Sequence, residues 1–93
     1  MAEFLLEQYV SRADGDAVER DQERARIAAE ELTQEGTPIR VVRSIFVPKD
    51  ETCFYLYEAA SADVVLELAK RAALPFVRVT EARANRTSMK GEA

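Results

Sequence analysis

Histidine is absent from this sequence, and cysteine occurs once, as Cys53. Without histidine the chain cannot build a Ser-His-Asp or Cys-His catalytic centre, an HExxH zinc site or an imidazole general base. A single cysteine excludes an internal disulfide and is typical of proteins in a reducing compartment. We therefore expect a cytoplasmic protein.

Long apolar stretches and concentrated positive charge are also missing. The longest apolar run, residues 72–77, contains Pro75 and is too short to span a membrane. The first ten residues show no basic region followed by an apolar stretch, so we predict no secretory signal. Thirteen basic residues are dispersed among seventeen acidic ones, for a net charge of −4, which argues against a nucleic-acid partner.

The composition that remains is that of an ordinary globular protein, with 47% apolar and 32% charged residues. A chain of 93 residues is long enough for one domain and too short for two. We assign this domain to residues 1–83. Residues 84–93 are polar without periodicity and are predicted to form a flexible tail.

The first third of the chain predicts a strand followed by a helix. Residues 3–10 alternate between apolar and polar, which is typical of a strand. Asp16 has the character of an N-cap, and Glu19 would complete a capping box. Helical spacing of apolar residues continues to Glu35, and Gly36 marks the end of the helix.

The rest of the chain predicts a hairpin, a helix and a last strand. Residues 39–47 are rich in β-branched side chains, and turn chemistry separates them from a second strand. The predicted boundaries are strands at 39–47 and 52–59, a helix capped by Ser61 and ended by Pro75, and a strand at 76–82. This β-α-β-β-α-β order predicts the ferredoxin-like plait, an α+β fold with a four-stranded antiparallel sheet and two helices on one face.

The hairpin turn also predicts which residues pair. If Val47 pairs with Thr52, then Ile45 faces Phe54 and Arg43 faces Leu56. We assign this more aliphatic side of the hairpin to the helices. The other predicted members of that side are the strand residues Phe4, Leu6, Val77 and Val79 and the helix residues Ala25, Ala29, Leu32, Val65, Leu68 and Ala69.

The opposite side of the sheet is then predicted to be open and aromatic. Its members are Leu5, Glu7, Tyr9, Ser44, Phe46, Cys53, Tyr55, Tyr57, Phe76 and Arg78. Such a face is not expected to stay bare in water, so we predict a homodimer packed sheet to sheet about a twofold axis. Aromatic and polar groups together also suit a small-ligand pocket, with Glu7, Tyr9, Ser44, Phe46, Cys53, Tyr55, Tyr57 and Arg78 as its candidates.

Several short stretches, in this order and spacing, carry a family resemblance. They are Ala2-Glu3-Phe4, Glu35-Gly36-Thr37-Pro38, Arg43-Ser44, Phe46-Val47-Pro48, Glu51-Thr52-Cys53-Phe54, Glu58-Ala59 and Leu74-Pro75-Phe76. Over residues 1–83 the chain resembles a bacterial family of small domains of unknown function that includes a nickel-responsive, nickel-binding protein. The resemblance implies a ferredoxin-like fold and a dimer of the α/β-barrel type.

The resemblance also implies a divalent metal. Nickel at neutral pH favours imidazole and thiolate ligands. In this sequence only Cys53 matches a recurring family position, and histidine is absent. Cys53 is therefore the sole metal candidate, with a reactive thiol or a small buried apolar residue as the other interpretations.

Three functions remain open at this point. The first is a non-enzymatic dimer that holds a small ligand or a metal in the sheet-side cleft. The second is an enzyme, monooxygenase-like or isomerase-like, that acts on a small hydrophobic substrate with Glu7 as the only available base. The third is a structural or partner-interaction module. No residue is assigned as catalytic, and we expect ion pairs of Glu7 with Arg78 and of Arg43 with Glu58.

Overall fold

Four strands and two helices follow one another in the computed structural model, which describes residues 1–83. The elements are β1 (Ala2–Tyr9), α1 (Gly15–Gln34), β2 (Ile39–Val47), β3 (Thr52–Ala59), α2 (Ala62–Arg71) and β4 (Phe76–Ala82). A short 3-10 turn, Pro48–Asp50, joins β2 to β3. The predicted tail, residues 84–93, lies outside the described residues.

The strands form one antiparallel sheet in the order β2-β3-β1-β4. Helix α1 packs over β2, and α2 packs over β4, β3 and β1. The predicted ferredoxin-like plait is confirmed. Within residues 1–83, no helix is both long enough and apolar enough to cross a membrane.

The start of α1 differs from the prediction. The helix begins at Gly15, and Asp14 rather than Asp16 occupies the N-cap position without a side-chain cap hydrogen bond. A turn closed by the Asp14 amide and the Ser11 carbonyl, 3.0 Å apart, brings the chain into the helix early. The predicted capping box with Glu19 is therefore wrong. Asp16 lies in the first turn, where its charge is favourable to the helix dipole.

Both helices end in the same main-chain motif. The Thr37 amide donates to the Leu32 carbonyl over 2.8 Å, and the Leu74 amide donates to the Ala69 carbonyl over 2.9 Å. Each motif needs a residue in the left-handed region, with Gly36 (φ 98°) after α1 and Ala73 (φ 56°) after α2. The predicted helix stop at Gly36 thus has a conformational cause.

Replacing Gly36 with alanine should lower the free energy of unfolding by about 1 kcal/mol, because a Cβ is strained at this positive φ. Urea unfolding followed by circular dichroism measures the change. Gly15→Ala is the matched control, since neither glycine has a heavy atom that would contact the added Cβ within 4 Å. Equal losses in the two variants would contradict a left-handed Gly36.

The predicted hairpin register is confirmed. Val47 pairs with Thr52, Ile45 with Phe54, and Arg43 with Leu56. The predicted helix contribution to the core is confirmed as well, and its members are all buried: Ala25, Ala29, Leu32, Val65, Leu68 and Ala69.

The prediction of which hairpin side faces the helices is wrong. Tyr55 and Tyr57 are fully buried beneath the helices, whereas Ile45 is 53% exposed on the opposite side. Pairing with β1 decides this, because residues directly opposite one another in antiparallel strands share a face. Leu6, which faces the helices as predicted, lies opposite Tyr55.

Two irregularities further change the predicted faces. A register shift at Val42 places Val41 opposite Tyr57. It also turns Arg40, which lies opposite Glu58, to the side of the sheet away from the helices. The expected Arg43–Glu58 pair is therefore wrong, and the Arg40 Nε donates to Glu58 Oε1 over 3.0 Å instead.

The second irregularity lies where β4 begins. Phe76 pairs with Gln8, on the helix side, while Val77 falls out of register and is 62% exposed. The predicted faces of Phe76 and Val77 are thus both wrong. Val79, opposite Leu6, packs against the core as predicted.

Candidate functional site

The predicted pocket residues divide between the two faces of the sheet. Glu7, Tyr9 and Arg78 lie on the open face, defined here as the side of the sheet away from the helices. The others lie on the helix side: Ser44, Phe46, Cys53, Tyr55 and Tyr57. A single pocket lined by all eight is therefore wrong. The physical reason is that the β2–β3 hairpin turns toward the helices the side predicted to be open.

An apolar centre occupies the open face. Leu5 of β1 lies opposite Leu56 of β3, and Phe54, two residues before Leu56, lies opposite Ile45 at the edge strand. Leu5, Phe54 and Leu56 are only partly buried in the single chain. These residues replace the tyrosines and Cys53 as the apolar part of the face.

Charges of both signs surround this centre. Arg78 Nε donates to Glu7 Oε1 over 2.9 Å, which confirms the predicted cross-strand ion pair. Arg40 pairs with Glu58 at the other end of the face. Arg43 lies beside Leu56 and has no ion pair among residues 1–83.

A second polar group lies inside the domain, between the sheet and α1. Gln8 Nε2 donates to Asp21 Oδ2 over 2.6 Å, and Asp21 also accepts from the Arg24 guanidinium. Gln8 and Asp21 are both buried, and Gln8 lies directly opposite Cys53.

Sequence reasoning missed Gln8 and Asp21, although the sequence carries a signal for both. Gln8 continues the alternation of Phe4 and Leu6, and Asp21 precedes Ala25 by one helical turn on the buried stripe of α1. A polar residue in phase with the core is the informative exception in such a pattern.

Burial raises the pKa of Cys53, a hydrogen bond with Tyr55 opposes part of this shift, and the nearby Asp21 carboxylate adds to it. Burial likewise raises the pKa of Tyr55 and of Tyr57, with the Cys53 thiol adding to both shifts. A thiol with a raised pKa remains protonated at neutral pH, whereas the thiolate is the nucleophile and metal ligand. Cys53 therefore has the character of a small buried residue rather than a reactive one.

The donor set does not fit a nickel-type centre. No three cysteine, aspartate or glutamate side chains within residues 1–83 are grouped so that they could hold a metal ion. Cys53 is buried with a raised pKa, and its polar neighbour Asp21 is already held by Gln8 and Arg24. The family-derived metal assignment therefore has no matching set of ligands in this part of the chain.

A surface groove of about 560 Å³ runs between α1 and the edge strand β2. Its lining residues are Arg26, Ala29, Glu30, Thr33, Gln34, Ile39, Arg40 and Val41. Both of its arginines are paired, Arg26 with Glu23 and Glu30, and Arg40 with Glu58. Among the described residues, the groove therefore offers no uncommitted cation to a ligand.

Comparison with known proteins bears on the fold. No family model and no curated protein matches this sequence. A crystal structure of SCO4226 from Streptomyces coelicolor A3(2) superposes on 91% of this chain and 100% of its own, with a TM-score of 0.74 and 17% sequence identity. This likeness establishes the fold. It assigns no ligand, partner or reaction.

Proposed function

We propose that this chain is a non-enzymatic binding protein that forms a homodimer through its open face. The observation that carries the proposal is the uncovered apolar centre of Leu5, Ile45, Phe54 and Leu56. Ile45 alone is 53% exposed in the single chain. An apolar patch with a charged rim is characteristic of a protein interaction surface.

The charges on the open face favour a second copy of the chain as the partner. Three arginines and three glutamates project from its strands: Arg40, Arg43, Arg78, Glu3, Glu7 and Glu58. Nucleic acid or an anionic membrane would require an excess of positive charge. A face with equal numbers of both signs can meet itself about a twofold axis without net repulsion.

A cleft between two such sheets would be bordered by the three predicted pocket residues that lie on the open face. Glu7 and Arg78 would offer a paired carboxylate and guanidinium, and Tyr9, which is 59% exposed, would offer a hydroxyl. These groups suit a small ligand with both apolar and polar parts. We do not include a nickel-type metal, because the ligands it would need are not grouped within residues 1–83.

The enzyme alternative is less well supported. It depends on Glu7 as a general base, and the Glu7 carboxylate already accepts from Arg78 over 2.9 Å. In the described sheet, the residues directly opposite Glu7 are Phe54 and Arg78, so neither neighbouring strand places a second acid there. Binding therefore accounts for the open face with fewer additional assumptions than catalysis.

Exchanging Ile45 for glutamate should convert a dimer into a monomer. Each dimer would bury two new carboxylates, and we expect the dimer dissociation constant to rise by about 100-fold or more. Sedimentation velocity over a range of protein concentrations measures the change. Ile27→Glu is the matched control, because Ile27 is 42% exposed on α1, away from the open face.

The wild-type chain should sediment as a dimer, and Ile27→Glu should leave it so. A wild-type monomer at all concentrations would contradict the dimer and favour the structural or partner-interaction module. Ligand binding is tested separately, by thermal shift with small aromatic acids on the wild type and on Glu7→Gln. A ligand that raises Tm equally in both would contradict a role for Glu7.

A further inference from the structure

The buried polar cluster consists of Gln8, Asp21, Cys53, Tyr55 and Tyr57, and it lies on the helix side of the sheet. It is independent of the proposed dimer, which uses the other side. The cluster contains more hydrogen-bonding atoms than residues 1–83 satisfy.

Three atoms of this cluster are fully buried and have no hydrogen-bond partner within residues 1–83. They are Gln8 Oε1 and the hydroxyl oxygens of Tyr55 and Tyr57. Gln8 and both tyrosines have at most 1% of their surface exposed. Buried polar atoms in folded proteins are nearly always paired with protein or with ordered water.

The orientation of the Gln8 amide follows from its partner. A carboxylate only accepts hydrogen bonds, so the amide nitrogen must be the atom that faces Asp21. The amide oxygen therefore points elsewhere and needs a donor. Exchanging the two amide atoms would place two acceptors against each other.

The tyrosine hydroxyls need partners for a similar reason. Their rings are stacked, with centroids 6.0 Å apart and planes 9° apart, so the two side chains run side by side from β3. The overlying helices offer few acceptors, because carbonyls in the interior of a helix are already used by its own amides. The Cys53 thiol lies within hydrogen-bonding reach of the Tyr55 hydroxyl, but a thiol is only a weak partner and leaves the hydroxyl in need of a stronger one.

We propose that ordered water molecules bind inside the domain, beneath the helices on the helix side of the sheet, and complete the hydrogen bonding of Gln8, Tyr55 and Tyr57. Water donates to the Gln8 oxygen and accepts from either hydroxyl, which matches the atoms that need partners. A domain of this size holds about three buried waters by the usual frequency.

The charges of the cluster favour a neutral ligand over an ion. Asp21 is the only charged member, and Arg24 neutralises it. A cation would need further carboxylate or thiolate ligands, and no such group of three is present in the described part of the chain. An anion would need an unpaired cation inside the cluster, and Arg24 is already engaged by Asp21.

Tyr55→Phe and Tyr57→Phe distinguish a hydrated hydroxyl from an unsatisfied one. If water binds the hydroxyl, each replacement should lower Tm by about 4 °C or more, because it removes hydrogen bonds from a buried site. If the hydroxyl is unsatisfied, phenylalanine should leave Tm unchanged or raise it, which would overturn the proposal. Tyr9→Phe, at a position outside the cluster and 59% exposed in the single chain, is the control and should lower Tm by less than either replacement.

A crystal structure of the wild-type protein at about 1.5 Å resolution provides a second measurement that does not depend on any variant folding. Water density within hydrogen-bond distance of Gln8 Oε1 and both hydroxyls is the expected result. Direct bonds between protein atoms at all three positions, or density for an ion or organic molecule, would overturn the proposal.

Discussion

Replacing Tyr55 with glutamate is expected to unfold the domain at neutral pH, whereas replacing its chain neighbour Leu56 with glutamate leaves it folded. Tyr55 is fully buried beneath the helices, and an unpaired carboxylate there would cost several kcal/mol. That cost is comparable with the whole stability of a domain of this size, about 4–12 kcal/mol. Leu56 points to the open face, where a carboxylate can be hydrated.

Circular dichroism and the dispersion of amide proton resonances measure this difference. Tyr55→Phe serves as a control for the aromatic ring, because it keeps the ring and adds no charge. The Leu56→Glu variant should retain the fold and sediment as a monomer. A folded Tyr55→Glu together with an unfolded Leu56→Glu would contradict the assignment of the two hairpin faces.

The pairing of residues could be predicted from the sequence because it depends on local chemistry. Pro48 and the polar residues after it define a short turn, and this turn fixes Val47 opposite Thr52. The dense β-branched residues of β2 mark the strand that leads into it. These signals lie within one continuous stretch of chain, so no tertiary information is needed to use them.

The sequence of the hairpin alone could not show which of its two sides packs against the helices. A two-residue period divides the side chains into two sets but does not say which set meets the helices. One set contains Ile45, Phe54 and Leu56, and the other contains Cys53, Tyr55 and Tyr57. Aliphatic character favoured the first set, yet pairing of Leu6 with Tyr55 places the second set inside.

The two register shifts left little trace in the sequence. The first falls at Val42 and the second at Val77, and valine is a common residue in regular strands. The Glu7–Arg78 pair was predictable because the fold makes β1 and β4 neighbours. The buried Gln8–Asp21 pair required attention to polar residues that occur in phase with the core.

Raising the pH from 8 to 11 should progressively destabilise the folded protein. Burial raises the pKa of Tyr55, Tyr57 and Cys53, so these groups keep their protons in the folded state and lose them in the unfolded state. The unfolded state then binds fewer protons, and the free energy of unfolding falls as pH rises. The stabilisation is complete below the pKa values of the unfolded chain, about 8.5 for cysteine and 10 for tyrosine.

The two tyrosines together should remove about 3 kcal/mol of stability by pH 11, since each ionises in the unfolded chain at a cost of about 1.4 kcal/mol per pH unit. Urea unfolding at pH 8, 9, 10 and 11 in the presence of a reductant measures this loss.

In the double variant Tyr55→Phe with Tyr57→Phe, the free energy of unfolding should fall much less steeply above pH 10. The contribution of Cys53, which begins at lower pH, should remain. Tyr9→Phe, which removes a tyrosine that is 59% exposed, should decline as steeply as the wild type. A double variant that loses stability as steeply as the wild type between pH 10 and 11 would show that the two tyrosines on β3 are not the buried phenols of this domain.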